Sequence, residues 1–260
     1  MNKLNKIKKL LEENYNLKSN RYDYFPKTNE ELIKLVDKMI SEYGDNVDLN
    51  NICVSYIDNF ENIFLYRKTF NGDVSEWDVS NGLTFYYMFD MSNNFNSDLS
   101  KWDVSRCEHF NFMFCNCYIF NSDLLEWDVS NGKYFNHMFS NCKNFNSDLS
   151  KWNVSFGENF IYMFHKCGKF VCDLSEWDVS KCSNFNYMFF VCSGFNSDLS
   201  NWDVSNGEEF SFMFYKAKLF DADLSNWDVS NAIFWASFAD NSLLEKYPER
   251  IPEKFRKDYL

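Results

Sequence analysis

The 260-residue chain has only three histidines and eight glycines, and it contains no run of 18 apolar residues. Its apolar stretches end after a few residues, as at Met188-Phe189-Phe190-Val191-Cys192, so a membrane-spanning helix is excluded. The glycines form no phosphate-cradling loop. Spacing assembles no nucleophile, base and orienting group around His109, His137 and His165. Basic residues are outnumbered, 26 Lys+Arg against 38 Asp+Glu, for a formal net charge of −12. Such a chain repels phosphates unless it concentrates base, so nucleic acid is not an expected partner. No apolar segment follows Met1-Asn2-Lys3-Leu4-Asn5-Lys6-Ile7-Lys8-Lys9, as a secretory signal would require. With nine cysteines, an odd number, this predicts free thiols in a reducing, intracellular (cytoplasmic) compartment. What is abundant is aromatic: 29 Phe, 15 Tyr and 8 Trp are too much apolar surface for a disordered chain.

The aromatics are periodic. Phe recurs at 70, 95, 120, 145, 170, 195 and 220, and Trp at 77, 102, 127, 152, 177, 202 and 227, always 25 residues apart. The unit reads F-N-x-D-L-S-x-W-D-V-S-x-x-x-x-F-x-x-M-F-x-x-C. A fixed period of this length marks a solenoid, in which one unit cannot bury its own apolar face and the stack can. Seven copies occupy 70–244, and a degenerate first coil occupies 45–69, where Val54-Ser55, Phe60 and Ile63-Phe64 keep register. Residues 1–44 read as a helical N-terminal cap. Leu4, Ile7, Leu10, Leu11 and Tyr15 stand at helical spacing, and Thr28-Asn29-Glu30-Glu31 is a capping-box pattern opening a second helix to about Tyr43. Residues 245–260 read as a C-terminal capping tail.

Within a unit, Leu99, Trp102 and Val104 suit a short extended segment, and Phe110, Met113, Phe114 and Cys117 stand at i, i+3, i+4 and i+7. The expected fold is therefore an α/β solenoid, each coil a short strand plus a short helix on the plan of a leucine-rich repeat. The rival is a pentapeptide-repeat geometry, because D-L-S-x-W and D-V-S follow each other at five. Its next centre falls on Thr84, His109, Tyr134, Asn159, Asn184, Glu209 and Phe234, of which only Phe234 is fully apolar. Helical spacing is the preferred reading.

F-N-S-D-L-S-K-W-D-V-S at 95–105 with Met113-Phe114 resembles the BspA-like repeats, related to the mycoplasma lipoprotein-associated repeat and found in bacterial surface proteins and giant DNA viruses. The resemblance implies a right-handed, leucine-rich-repeat-like solenoid used for adhesion or protein contact, with no catalytic residues to carry over. Phe85 and Phe110 with their equivalents replace the usual Met, and Gly82, Cys107, Gly132, Gly157, Cys182 and Gly207 replace the usual Val.

Several ladders invite a chemical reading. Asp73, Asp98, Asp123, Asp148, Asp173, Asp198 and Asp223 form one; Asp78, Asp103, Asp128, Asp178, Asp203 and Asp228 form another, with Asn153 in the gap. Stacked carboxylates can bind a cation, but Asn153 serves a turn as well as Asp does and binds calcium poorly, so turn capping is the reading. Cys117, Cys142, Cys167 and Cys192 line up one coil apart with Ser92 and Ala217 as equivalents, which means small and buried rather than converging zinc ligands. No metal or cofactor is expected. Glu76, Lys101, Glu126, Lys151 and Glu176 alternate in sign as an exposed cross-coil ladder, and Asn71, Asn96, Asn121, Asn146 and Asn196 are expected to form a buried amide ladder. Residues 70–235 hold 22 Asp+Glu and 10 Lys+Arg, so the whole −12 lies in the repeats, and 13 of the acids are the two Asp ladders.

Tyr87, Phe112, His137, Tyr162, Tyr187 and Phe212 lie opposite the apolar stripe and form an aromatic row. That row is the candidate partner-binding surface, unless the rings lean between neighbouring helices and are covered. The sequence therefore points to a non-enzymatic scaffold for protein–protein recognition. The alternatives are a surface adhesin or glycan-binding module, or a hydrolase-type enzyme with a site assembled across coils.

Overall fold

The computed structural model describes residues 21–260; the stripe from Leu4 to Tyr15 lies outside them. Helix α1 spans Asn29–Tyr43, with Thr28 Oγ1 accepting from Glu31 N–H at 3.2 Å and Leu32, Val36 and Met39 buried. Thereafter the chain winds in coils. Parallel bridges join Asn59, Thr84, His109, Tyr134, Asn159, Asn184, Glu209 and Phe234, each to the next, so every coil sits 25 residues out of phase with its neighbour. A repeat solenoid is what the period demands and what forms.

The coil itself departs from the strand-plus-helix expectation. Neither a helix nor a strand longer than a single bridge occurs between residues 45 and 243. One coil is instead five β-turns: Leu99–Trp102, Val104–Cys107, Phe110–Met113, Phe114–Cys117 and Cys117–Phe120 each close by an N–H of the fourth residue donating to the C=O of the first, at 2.9–3.2 Å. First and fourth residues of every turn point inward and are at most 3% exposed. Two consecutive turns thus place apolar residues at 110, 113, 114 and 117, the same spacing as two turns of helix. The helix is prevented by the stack itself. The N–H groups of Phe110, Phe112, Phe114 and Asn116 donate to the next coil, at Tyr134, Asn136, Met138 and Ser140 carbonyls, and are not available to i−4. Phe112 and Asn116 also have positive φ, 57° and 61°. The pentapeptide rhythm describes the first two turns, which start five apart at Leu99 and Val104. The next two start at Phe110 and Phe114, steps of six and four, so the strict five-residue test lands on the outward His109 and misses the core by one.

Side chains add vertical bonds to the backbone ladder. Each indole Nε1 of Trp77, Trp102, Trp127, Trp152, Trp177, Trp202 and Trp227 donates to a carbonyl 28 residues earlier, at 2.9–3.0 Å. Cys117, Cys142, Cys167 and Cys192 donate S–H to Phe89, Phe114, Phe139 and Phe164 carbonyls at 2.7–3.0 Å. Ser92 Oγ does the same to Phe64 at 2.7 Å. Ser or Cys at this place is therefore a core donor as well as a filler, whereas Ala217 only fills.

The two ends stop the stack by different means. At the first coil, Asn29 Nδ2 of α1 donates to the carbonyls of Asn59 and Glu61, which have no earlier coil to bond. At the last coil, the N–H groups of Ala239 and Asn241 donate to Tyr259 Oη and Glu245 Oε2, both at 2.7 Å. Short 3₁₀ turns at Leu244–Lys246 and Pro248–Arg250 lead into α2, Glu253–Arg256. There Phe255 covers the open core beside Trp235, Phe238 and Phe210, with centroids 5.0–5.5 Å apart. Polar side chains thus occupy two of the backbone groups at each end that would otherwise template another chain.

Candidate functional site

The six residues of the aromatic row come together as one continuous stack. Centroid distances run Tyr87–Phe112 4.5 Å, Phe112–His137 4.2 Å, His137–Tyr162 4.5 Å, Tyr162–Tyr187 4.4 Å and Tyr187–Phe212 4.8 Å. Each ring lies near the 4.8 Å rise of a parallel ladder from the next. The rings stand on turn corners, not on a helix face, and every one is half-buried. All six backbones have φ between 54° and 58°, the left-handed region. A side chain with a Cβ holds that conformation at a cost of about 1–2 kcal/mol, so stacking and burial of the rings offset corner strain in every coil.

Burial also sets the chemistry of the row. Desolvation lowers the His137 pKa to about 4, so its imidazole is neutral at physiological pH and stacks as an uncharged ring. The Tyr162 phenol is raised, first by desolvation and then by Tyr187. Tyr87 is raised as well, again mainly by burial.

A second row that sequence reading missed runs beside the first, three residues on. Its members are Asp90, Cys115, Ser140, His165, Phe190 and Tyr215. The first three are buried and polar: Asn116 Nδ2 reaches Asp90 Oδ1 at 3.2 Å, and Ser140 Oγ lies 3.2 Å from His165 Nδ1. Desolvation raises the Asp90 carboxyl above its usual range. The last three are half-buried rings that stack in turn, His165–Phe190 at 5.0 Å and Phe190–Tyr215 at 4.9 Å. They also touch the first row edge-on, Tyr162–His165 at 5.0 Å and Phe212–Tyr215 at 5.8 Å. Over coils 162–215 the edge is therefore two rings wide. The only signal in the sequence was an aromatic or His at i+3 from the row, and it persists for just three coils.

The remaining ladders are structural. Oδ1 of Asp73, Asp98, Asp148, Asp173, Asp198 and Asp223 accepts the N–H of the serine two residues on, at 2.9–3.0 Å. In the second series Asp103, Asp128, Asp178, Asp203 and Asp228 do the same, and Asn153 does so at 3.1 Å with Ser155. These bonds hold the Asp98, Asp148, Asp173 and Asp228 carboxyls below their usual pKa. Among the described residues no group of His, Cys, Asp or Glu converges as a metal-ligand set.

The Asn ladder requires a correction. Asn71, Asn96 and Asn121 Oδ1 accept from the backbone N–H of Asn96, Asn121 and Asn146 at 2.7–2.8 Å, tying coil to coil as expected. But all of these asparagines are exposed rather than buried, because the group they satisfy is an outward N–H at the surface. Lys101 pairs with Glu76, and Lys151 with Glu126 at 2.8 Å, the expected alternation. These pairs are exposed and add little stability.

A family model described as Mycoplasma protein of unknown function, DUF285, matches residues 34–152 and 133–246. The chain belongs to this family. Among curated proteins nothing matches the chain, and no solved structure matches it. The two matched stretches overlap and together take in the whole stacked edge from Tyr87 to Phe212. No helix among the described residues is long and apolar enough to cross a membrane.

Proposed function

We propose that the protein is a non-enzymatic repeat scaffold that recognises a protein partner through the aromatic edge. The observation that carries this is the unbroken stack from Tyr87 to Phe212, held half-buried on strained corners where Gly or Asn would be cheaper. A core needs no rings there, since the interior is already filled by Phe, Trp, Leu and Met. A continuous row of aromatic ring edges, already ordered by stacking and so losing little entropy on binding, is what a recognition surface uses. The glycan-binding alternative draws less support: a sugar stacks on a free ring face, and the inner rings of this row have both faces covered by their neighbours.

The test is affinity capture from the native cell with the full chain and with Tyr162→Ser/Tyr187→Ser as control. The variant is expected to lose the captured protein while its melting temperature stays within a few degrees of wild type. Retention of the partner by the variant, or collapse of its melting temperature to that of a core variant, sinks the reading.

A further inference from the structure

We infer that the partner for which the edge is built is a second copy of this chain, joined in parallel about a twofold axis that runs along the solenoid. This rests on the reading of the edge as a recognition surface and names its occupant. The first argument is spacing. The rings repeat at 4.2–4.8 Å over six coils. An extended strand presents side chains to one face every 6.8 Å or so, and a helix presents one turn every ~5.4 Å. Either falls out of register with the row within two or three coils. A solenoid of the same rise keeps register along the whole of it, and this chain is one.

The second argument is charge. In the coils of the double aromatic row, the flank before the rings carries exposed Glu158 and Glu208, and the flank after them carries exposed Lys166 and Lys216. Each Glu shares a coil with one of the Lys. Among the described residues none of the four makes an ion pair within 4 Å; on the first flank Lys133 pairs with Glu108 at 2.8 Å and feels Glu158, one coil on, only through longer-range attraction. The coil between holds uncharged Ser183 and Val191 at the same two places, and the Tyr87 coil holds Leu83 and Met91. A twofold along the solenoid sets each coil against its own copy and reverses the flanks, so Glu158 meets Lys166, Glu208 meets Lys216, Ser183 meets Val191 and Leu83 meets Met91. A twofold across the solenoid sets Lys against Lys and Glu against Glu. The distribution favours the parallel pair, and the two copies cover each other's half-buried rings.

Sedimentation equilibrium of the full chain is the decisive measurement. Wild type is expected to dimerise and Tyr162→Ser/Tyr187→Ser to remain monomeric with an unchanged circular dichroism spectrum. Lys166→Glu/Lys216→Glu should weaken the dimer about tenfold or more, since four attractive pairs become repulsive. Adding Glu158→Lys/Glu208→Lys to that variant should restore it. Orientation is read by mixing Ser183→Cys with Val191→Cys chains: a disulfide between the two species is expected only for the parallel pair. A monomeric wild type, a dimer indifferent to the charge reversal, or no cross-link on mixing overturns the proposal. A monomer that still captures a cellular protein through Tyr162 and Tyr187 leaves the recognition reading standing and removes only the second copy. A monomer that captures nothing through them removes both.

Discussion

Trp152 and Tyr162 belong to one coil and stand ten residues apart, and both sit in ring stacks that run the length of the molecule. Trp152 is 3% exposed, its ring parallel to Trp127 and Trp177 with centroids 6.4 Å away on either side, and its N–H bonded to Leu124. Tyr162 is half-buried, lies 4.5 and 4.4 Å from His137 and Tyr187, and carries a φ of 58°. The inner site asks one side chain for volume, shape and a donor at once, and only Trp supplies all three in seven successive coils. The outer site asks for a flat ring on a corner, and Tyr, Phe and neutral His all serve. Identity is fixed where large volume, ring shape and a donor are all required at one buried place, and it varies where stacking alone acts.

Truncating each ring should separate the two. Trp152→Ala removes a fully buried aromatic and leaves the Leu124 carbonyl without its donor. The expected loss is about 3–5 kcal/mol, read as a shift in the urea midpoint. Tyr162→Ala gives up partial burial and one stacking interaction on each face, and should cost less than half as much. Equal losses for the two variants would erase the distinction between core and edge.

A gain is expected at the other strained corner. Four residues after each ring, the coil turns again through positive φ, at Met91, Asn116, Asn141, Lys166, Val191 and Lys216, and the same corner recurs at Asn241 in the last coil, four residues after Ser237. Val191, at φ 57°, is β-branched, the type least suited to this region. Val191→Asn, the residue three other coils use there, should stabilise by about 1 kcal/mol. An unchanged or lowered melting temperature would mean that Val191 makes contacts worth more than its strain.

These corners also mark where sequence reasoning reached its limit. The period of Phe and Trp made the solenoid legible, and the Asx role of the Asp ladders followed from Asn153 standing among them. Thr28 announced α1 to the residue. The turns at 110–117 were not legible, because first and fourth residues of two consecutive β-turns reproduce a helical stripe. Only φ tells them apart. Asn62, Asn116, Asn141 and Asn241, all in the left-handed region, were the available signal. Aromatics and Lys at the equivalent places masked it. The candidate row was found for a reason that does not hold, its position opposite a helix stripe, yet its members do meet. The second row escaped because three coils are too few for a period to stand out. The exposed flanking charges carry no pattern until the fold puts each Glu and Lys in the same coil.

The smallest effect tests the edge against pH. His137 and His165 both have pKa values lowered to about 4 by desolvation, from an ordinary value of 6.5. Between those limits the unfolded chain binds protons that the folded one does not, so folding loses stability as pH falls from 6.5 toward 4 and is indifferent above 6.5. Asp90 acts in the opposite sense. Its carboxyl, raised by desolvation, takes up a proton in the folded state before the unfolded one does, which favours folding as pH falls toward the carboxylate range. His137→Phe keeps a ring between Phe112 and Tyr162 and removes one titration. At pH 7.5 its melting temperature should sit close to wild type, and the gap should open in favour of the variant as pH is lowered to 4.5. A gap that is constant with pH would show that the imidazole is as well solvated in the fold as in the unfolded chain, and that this part of the edge is wetter than its neighbours.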